Sequence, residues 1–190
     1  REQKLFRKLP EKTTGRLSGI RDFDVLRALW NHDVWPTDFS FGENPCGHPG
    51  YLPSFTGQGG ARFNRAMMNY MLCLSMLSRH LTERPRRFLE LGGGFGALGE
   101  ILYGLNRESM YWNYDLPPLS VVAEYYLDTA FPDDEHHVHS TWELPSHADP
   151  VDVFVNTYSF QEMEPHVVKN YVEVVNKISP EFILSLNSTN

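Results

Sequence analysis

Three observations predict an α/β fold whose sheet is mostly parallel and doubly wound. From residue 87 onward, short apolar stretches of strand length alternate with longer stretches of helical period. The first of those strands, Arg87–Leu91, runs straight into a glycine turn, Gly92-Gly93-Gly94-Phe95-Gly96, that opens a helix. The next strand is followed at once by an acid, Asp115. Alternating β and α elements argue for parallel strands with helices on both faces. On such sheets ligands sit at the carboxyl ends of the strands, near the point where the chain order reverses.

Taken in order, residues 1–20 are polar and basic, with Pro10 and Thr13-Thr14-Gly15 interrupting any helix. Asp22 is placed to cap a short helix whose apolar face is Phe23, Leu26, Ala28, Leu29 and Trp30. Residues 31–60 concentrate aromatic residues, glycine and proline, among them Trp35-Pro36, Phe41-Gly42 and Gly47-His48-Pro49-Gly50-Tyr51. A loop of that length is functional or disordered, and its aromatics argue against disorder; it is expected to form an ordered cover over a ligand cleft. The strongest helical repeat runs over 61–81 through Phe63, Met67, Tyr70, Met71, Leu74 and Leu77. Its methionines and Cys73 read as core residues.

Beyond Pro85, strand 87–91 is followed by helix 97–105, stopped near Gly104, and by strand 109–114 with Met110, Trp112 and Tyr114 on one side. Helix 117–130 begins at a proline pair, which first-turn positions tolerate. A short strand at 137–140, an apolar strand at 151–156, a helix at 162–177 with Pro165 in its first turn and a strand at 181–186 complete the pattern. The expected organisation is an N-terminal helical and loop-rich cap over 1–82 and a Rossmann-like, cofactor-binding core over 83–190.

Composition excludes several classes. With 190 residues, 41% apolar and a formal charge of −7, the chain reads as a globular protein with a proper core and not as a general nucleic-acid binder. The charge is uneven: eight Lys/Arg against four acids in the first thirty residues leave +4 there and −11 elsewhere. That basic arm reads as a solvated helix face or as a surface for an acidic partner. Cys46 and Cys73 form no metal-type pair. No apolar run approaches the roughly 18 residues of a membrane span and no signal peptide is evident, so a cytoplasmic location is expected.

The glycine turn brings a ligand close to the backbone, and the helix behind it presents its N–H groups and positive end. Gly94-Phe95-Gly96-Ala97-Leu98-Gly99 matches the dinucleotide fingerprint G-x-G-x-x-G. Glu90, just before the turn, argues otherwise: a carboxylate there repels a pyrophosphate and suits the cationic amino-acid end of S-adenosylmethionine. Asp115, nineteen residues after Gly96, is placed to accept the hydroxyls of a ribose in either case, or to cap the helix that follows. Thr141-Trp142 follow the third strand, where an adenine would lie; Trp142 either stacks on it or is a rim tryptophan. Asn156 ends the fourth strand, placed to bind the amino-acid moiety or to orient an acceptor hydroxyl. Glu162 and His166, four apart, form either a base relay on one helix face or a surface contact. The His136, His137 and His139 run, beside Asp133-Asp134-Glu135, reads as a solvated loop without a metal signature.

The string Phe88-Leu89-Glu90-Leu91-Gly92-Gly93-Gly94-Phe95-Gly96 resembles motif I of the class I S-adenosylmethionine-dependent methyltransferases. With Gly47-His48-Pro49, Tyr114-Asp115-Leu116-Pro117 and the stretch from Asn156 through Thr157, Tyr158, Ser159, Phe160, Gln161 and Glu162 to Met163, residues 45–187 resemble the sugar O-methyltransferase family of bacterial surface-polysaccharide clusters. The resemblance implies methyl transfer from S-adenosylmethionine to a hydroxyl of a sugar, a sugar nucleotide or a related small molecule. By that resemblance Glu90, Gly92, Gly94, Asp115 and Asn156 bind the cofactor; Gly93, Leu116, Thr141 and Trp142 are further candidate cofactor contacts, His166 or Glu162 is a candidate base, and no residue is singled out as a metal ligand. A complete fold of that type carries seven strands, whereas this chain stops at Asn190 after the fifth, so the resemblance also implies a truncated sheet and a longer full-length protein. Two other readings stay open: an NAD-dependent oxidoreductase, and a methyltransferase-like binding module without catalysis.

Overall fold

The computed structural model describes residues 26, 28–35 and 65–187. The chain divides into two compact units, Arg1–Thr82 and Glu83–Asn190, each described by itself. The basic opening stretch, the aromatic segment after Trp35 with its expected cover, Cys46 and His48 lie outside the described residues.

In the first unit, Trp30 closes a helical turn on Leu26, its N–H donating to the Leu26 carbonyl at 2.9 Å, while its indole donates to the Trp35 carbonyl at 2.8 Å. Helix α1, Arg65–Leu77, passes into a 3₁₀ turn, Ser78–His80. The change of helix type has a local cause. The Ser75 and Ser78 hydroxyls donate to carbonyls three residues back, at 2.7 Å each, which tightens the last turn. Met67, Met68 and Met71 are wholly buried and Cys73 nearly so, as core residues should be.

The second unit is a five-stranded sheet of β1 (Arg87–Leu91), β2 (Met110–Asp115), β3 (His136–Ser140), β4 (Val153–Thr157) and β5 (Phe182–Leu186). Every pairing is parallel, and the order is β3-β2-β1-β4-β5. Chain order therefore reverses between β1 and β4. Helix α2 (Ala97–Leu105) follows β1, α3 (Pro117–Ala130) follows β2, and α4 (Pro165–Ile178) lies between β4 and β5. The prolines at 117 and 165 open their helices after extended residues, Leu116 and Glu164, as the preceding-residue restriction demands.

Each sheet face has its own cover. On one, Leu89, Leu91, Trp112, Tyr114, Phe154 and Val175 form a cluster joined by Tyr171, Val174 and Ile178 of α4, and the predicted Met110–Trp112–Tyr114 side belongs to it. On the other, Tyr111 lies so close beneath α2 that a Cβ on Gly99 would stand 2.7 Å from its ring, and Leu127 of α3 packs under Gly96. The last glycine of the G-x-G-x-x-G string thus serves helix-on-strand packing.

The short strand expected at 137–140 forms, so the histidine run is part of the sheet and not the solvated loop that its acidic neighbours suggest. His136–Ser140 is a strand, paired along its length with β2. His137 stacks on Trp112 at 5.6 Å between centroids and His139 on Tyr114 at 5.0 Å, so aromatic neighbours in register give the imidazoles a surface.

At the amino edge Asp152 clasps β4 to β1. Its carboxylate accepts from the Arg86 and Arg87 backbone N–H groups at 2.8 and 2.9 Å and from the Arg87 guanidinium. Burial pushes this carboxyl up, but the Arg87 hydrogen bonds, the two N–H donors and the Arg87 charge together hold it below its ordinary value. Asp152→Ala is expected to cost about 2–3 kcal/mol, because two backbone donors and a guanidinium lose their acceptor. Since the folded value is depressed, this stabilisation is complete above about pH 4 and is lost as pH falls through the lower folded value. Urea midpoints from pH 7 to pH 3 check both: wild type should lose stability on acidification and the variant should lose less.

Candidate functional site

Because all strands are parallel, the register gathers the candidate residues at one edge. Leu91 lies beside Tyr114, Asp115 beside Ser140, and Asn156 beside Ser185. Glu90, the glycine turn, Asp115, Leu116, Thr141, Trp142 and Asn156 all fall at or just past the carboxyl ends, around the reversal between β1 and β4.

In the turn, Gly92, Gly94 and Gly96 have φ of 81°, 58° and 95°, the left-handed region. Gly92 N–H donates to the Tyr114 carbonyl at 2.8 Å, anchoring the turn to β2. A Cβ on Gly94 would meet nothing within 4 Å, so the crest of the turn is open. Asp115 leans on that crest: its Oδ2 accepts from Gly94 N–H at 2.7 Å and its Oδ1 from Leu116 N–H at 2.6 Å. Leu116 itself is 60% exposed.

Glu90 is wholly buried, with the Tyr111 hydroxyl donating to its Oε2 at 2.6 Å. A Cβ on Gly93 would lie 2.5 Å from Asn113 Oδ1, 2.6 Å from Glu90 Oε2 and 2.8 Å from Tyr111 Oη. Three oxygens therefore crowd the underside of the turn, and the buried Asn113 Oδ1 has no hydrogen-bond partner. Glu90 Oε2 thus lies directly beneath Gly93 in the turn. Tyr111 and Asn113 escaped the sequence reading. Their signal was alternation, since both face opposite to Met110, Trp112 and Tyr114.

Asn156 also differs from its expected role. It is wholly buried, and its amide has four partners: Nδ2 donates to the Leu91 carbonyl at 3.0 Å and to Ser159 Oγ, while Oδ1 accepts from Phe160 N–H at 3.4 Å and Asn187 Nδ2 at 3.2 Å. An asparagine has two donors and two acceptor lone pairs, so the side chain is fully used in bracing β4 against β1 and β5. Ser159 joins the brace, its hydroxyl donating to the Leu91 carbonyl at 3.0 Å, and packs directly on Gly92. Between them stands Tyr158 at φ +63°, its N–H donating to the Leu186 carbonyl at 2.7 Å.

Glu162 and His166 do not share a helix face. Glu162 ends a 3₁₀ turn, Phe160–Glu162, and α4 begins only at Pro165 after extended Met163 and Glu164. His166 Nδ1 instead lies 3.2 Å from Glu164 Oε2, both side chains well exposed. The relay fails because proline forbids a helical residue before it. Thr141 and Trp142 open the 3₁₀ turn Thr141–Ser146, with Trp142 65% exposed. That turn ends at His147, whose Nδ1 lies 3.0 Å from the Tyr114 hydroxyl; burial lowers the imidazole and raises the phenol to about 12. Among the described residues, no group of three His, Cys, Asp or Glu could hold a metal, and no helix is long and apolar enough to cross a membrane.

A parallel sheet ordered 3-2-1-4-5, a glycine turn after its central strand and an acid closing the neighbouring strand decide the architecture. The fold is a Rossmann-like, doubly wound parallel sheet. No family model matches the chain, and no curated protein matches it. Solved structures that resemble it in part include two methyltransferases. The mitomycin 7-O-methyltransferase MmcR is 16% identical with a TM-score of 0.48, over 53% of this chain and 30% of that one. Magnesium protoporphyrin IX methyltransferase from Synechocystis PCC 6803, solved with bound SAM, is 9% identical with a TM-score of 0.47, over 60% of this chain and 54% of that one. The chain thus spans about half or less of these proteins, and likeness this distant says nothing of the reaction.

Proposed function

We propose that the chain carries the cofactor site of an S-adenosylmethionine-dependent O-methyltransferase whose acceptor is a hydroxyl of a sugar or related small molecule. The observation that carries the reading is the Asp115 carboxylate lying against the open crest at Gly94. A carboxylate offers about four lone-pair sites; two backbone N–H groups leave capacity for a ribose diol. The floor of the turn favours a methyl donor over a dinucleotide. Glu90 Oε2 and Asn113 Oδ1 beneath Gly93 place negative potential where a pyrophosphate would rest, whereas an ammonium or sulfonium is attracted. The positive amino end of α2 suits the carboxylate of the same amino-acid moiety.

In this arrangement Gly92, Gly93 and Gly94 form the bed, Glu90 the charged floor, and Asp115 the ribose acceptor. Leu116 and Thr141-Trp142 flank the adenine, and Asn156 acts as a brace. When bound, S-adenosylmethionine supplies an electrophilic methyl group. The protein's part is to hold an acceptor oxygen in line and to take its proton; Glu162 and His166 are candidates for that proton singly, not as a pair.

Calorimetric titration of S-adenosylmethionine and S-adenosylhomocysteine, with NADH as control, tests the reading. Saturable binding of the first two alone is expected. Asp115→Ala should weaken it by about 10–100-fold, the loss of hydrogen bonds to a charged acceptor. NADH binding in their place would overturn the proposal.

A further inference from the structure

Two aromatic rings of β2 carry three imidazoles. Parallel register sets Trp112 beside His137 and Tyr114 beside His139. Each histidine stacks on its neighbour, and the two imidazoles lie 6.4 Å apart with planes 9° from parallel. The chain then makes the 3₁₀ turn Thr141–Ser146 and returns to the same rings at His147, edge-on to Trp112 at 5.2 Å and to Tyr114 at 5.9 Å. His147 Nδ1 meets the Tyr114 hydroxyl at 3.0 Å. Both ends of the turn are therefore fastened to one pair of rings. His139 fastens the start, its Nδ1 also 3.0 Å from Glu143 Oε2 within the turn, and His147 fastens the end. Between them Leu144 is wholly buried and Trp142 stands out toward solvent.

We propose that this arrangement is an acid-released latch: a neutral His147 holds the turn Thr141–Ser146 closed on β2, and a proton on His147 frees it together with Trp142. A protonated imidazole has two donors and no acceptor, so it can no longer receive the Tyr114 hydroxyl. Charge acts in the same direction. Burial is the main cause that lowers His147, and His139 and His137 on the same face add repulsion; Asp149, by its charge and its backbone, works the other way without outweighing them. Glu143 and Glu135 lie against His139 and His137, at 3.0 and 3.5 Å, and the Tyr114 phenol, raised to about 12 chiefly by burial, stays neutral. From α4, Tyr171 packs on the same cluster. A histidine lowered in the folded state stabilises fully above its unfolded value of about 6.5, and that contribution is lost as pH falls through the lower folded value. The latch is thus closed at neutral pH and opens in mild acid, above the range in which carboxylates titrate.

Hydrogen exchange by mass spectrometry between about pH 7.5 and 5.5, corrected for the intrinsic pH dependence of exchange, tests the latch. In wild type, peptides over 141–149 should lose protection at least about threefold at the acid end, while β1 changes less. His147→Gln and His147→Phe do not titrate, and neither should show the step. The first keeps a hydrogen-bonding group and the second the ring contacts, so if one fails to fold the other decides. NMR titration of the wild-type imidazoles needs no substitution: His147 should titrate below about 6.5. A wild type without the step, a step that persists in a folded variant, or a His147 that titrates at or above about 6.5 overturns the inference. Affinity for S-adenosylhomocysteine is a separate arm, and it alone rests on the cofactor reading above. Thr141 and Trp142 flank the adenine in that reading, so affinity should fall at least about threefold over the same step in wild type and stay constant in His147→Gln. A folded wild type that binds no S-adenosylhomocysteine at any pH overturns the cofactor reading and leaves the latch to the exchange and NMR results. Affinity that stays constant through a measured step overturns the adenine flank alone.

Discussion

Gly92→Ala is expected to destabilise the sheet unit by about 2–5 kcal/mol, from two separable causes. The first is conformational: at φ +81° a Cβ crowds the carbonyl, at about 1–2 kcal/mol. The second is steric. The new Cβ would lie 2.4 Å from both Cβ and Oγ of Ser159, and overpacking of that kind costs about 1–3 kcal/mol. Ser159 has little freedom to retreat, since its hydroxyl is bonded to the Leu91 carbonyl and to Asn156. Urea denaturation separates the causes. The double variant Gly92→Ala with Ser159→Gly should recover the steric share and leave the conformational one. A single variant with an unchanged midpoint would mean that the β4 turn does not press on the glycine turn.

Gly94→Ala is expected to do the reverse, with little loss of stability and a large loss of affinity. Its φ of +58° is the ordinary left-handed well, and a Cβ there meets nothing within 4 Å, so about 1 kcal/mol is the expected cost. The methyl would stand on the open crest, beside the Asp115 carboxylate that accepts from Gly94 N–H. A ligand resting on the turn must then lift off it, and the affinity for S-adenosylhomocysteine should fall at least about tenfold, near 1.4 kcal/mol. Unchanged affinity would place the cofactor elsewhere. Two glycines two residues apart thus fail in different ways: Gly92 is held by the protein's own packing, and Gly94 is kept bare toward solvent.

Much of the sheet unit was legible because its determinants are local. Strand and helix periods, Pro117 and Pro165 at first-turn positions and the glycine-rich turn act over a few residues, and element ends fell within about three residues of expectation. The separation of Glu162 from His166 was also legible in principle, since a proline at 165 requires an extended residue at 164. Spacing alone hid it. The short strand at 137–140 was legible too, but the support of its histidines was not: Trp112 and Tyr114 lie about 25 residues away and become neighbours only through parallel register.

By itself, then, the sequence determined the alternating α/β plan, the glycine turn, the acid that closes β2 and the edge of the sheet where the candidate site residues gather. Each follows from backbone sterics and short-range periodicity. Only the tertiary structure decided what those residues touch. It buried Glu90 beneath the turn, made Asn156 a brace, left Asn113 Oδ1 without a partner and held Tyr158 in a strained conformation. The physical reason is that a hydrogen-bond partner across parallel strands is set by register and strand order. These bring together residues such as Leu91, Asn156 and Asn187, which no spacing along the chain connects.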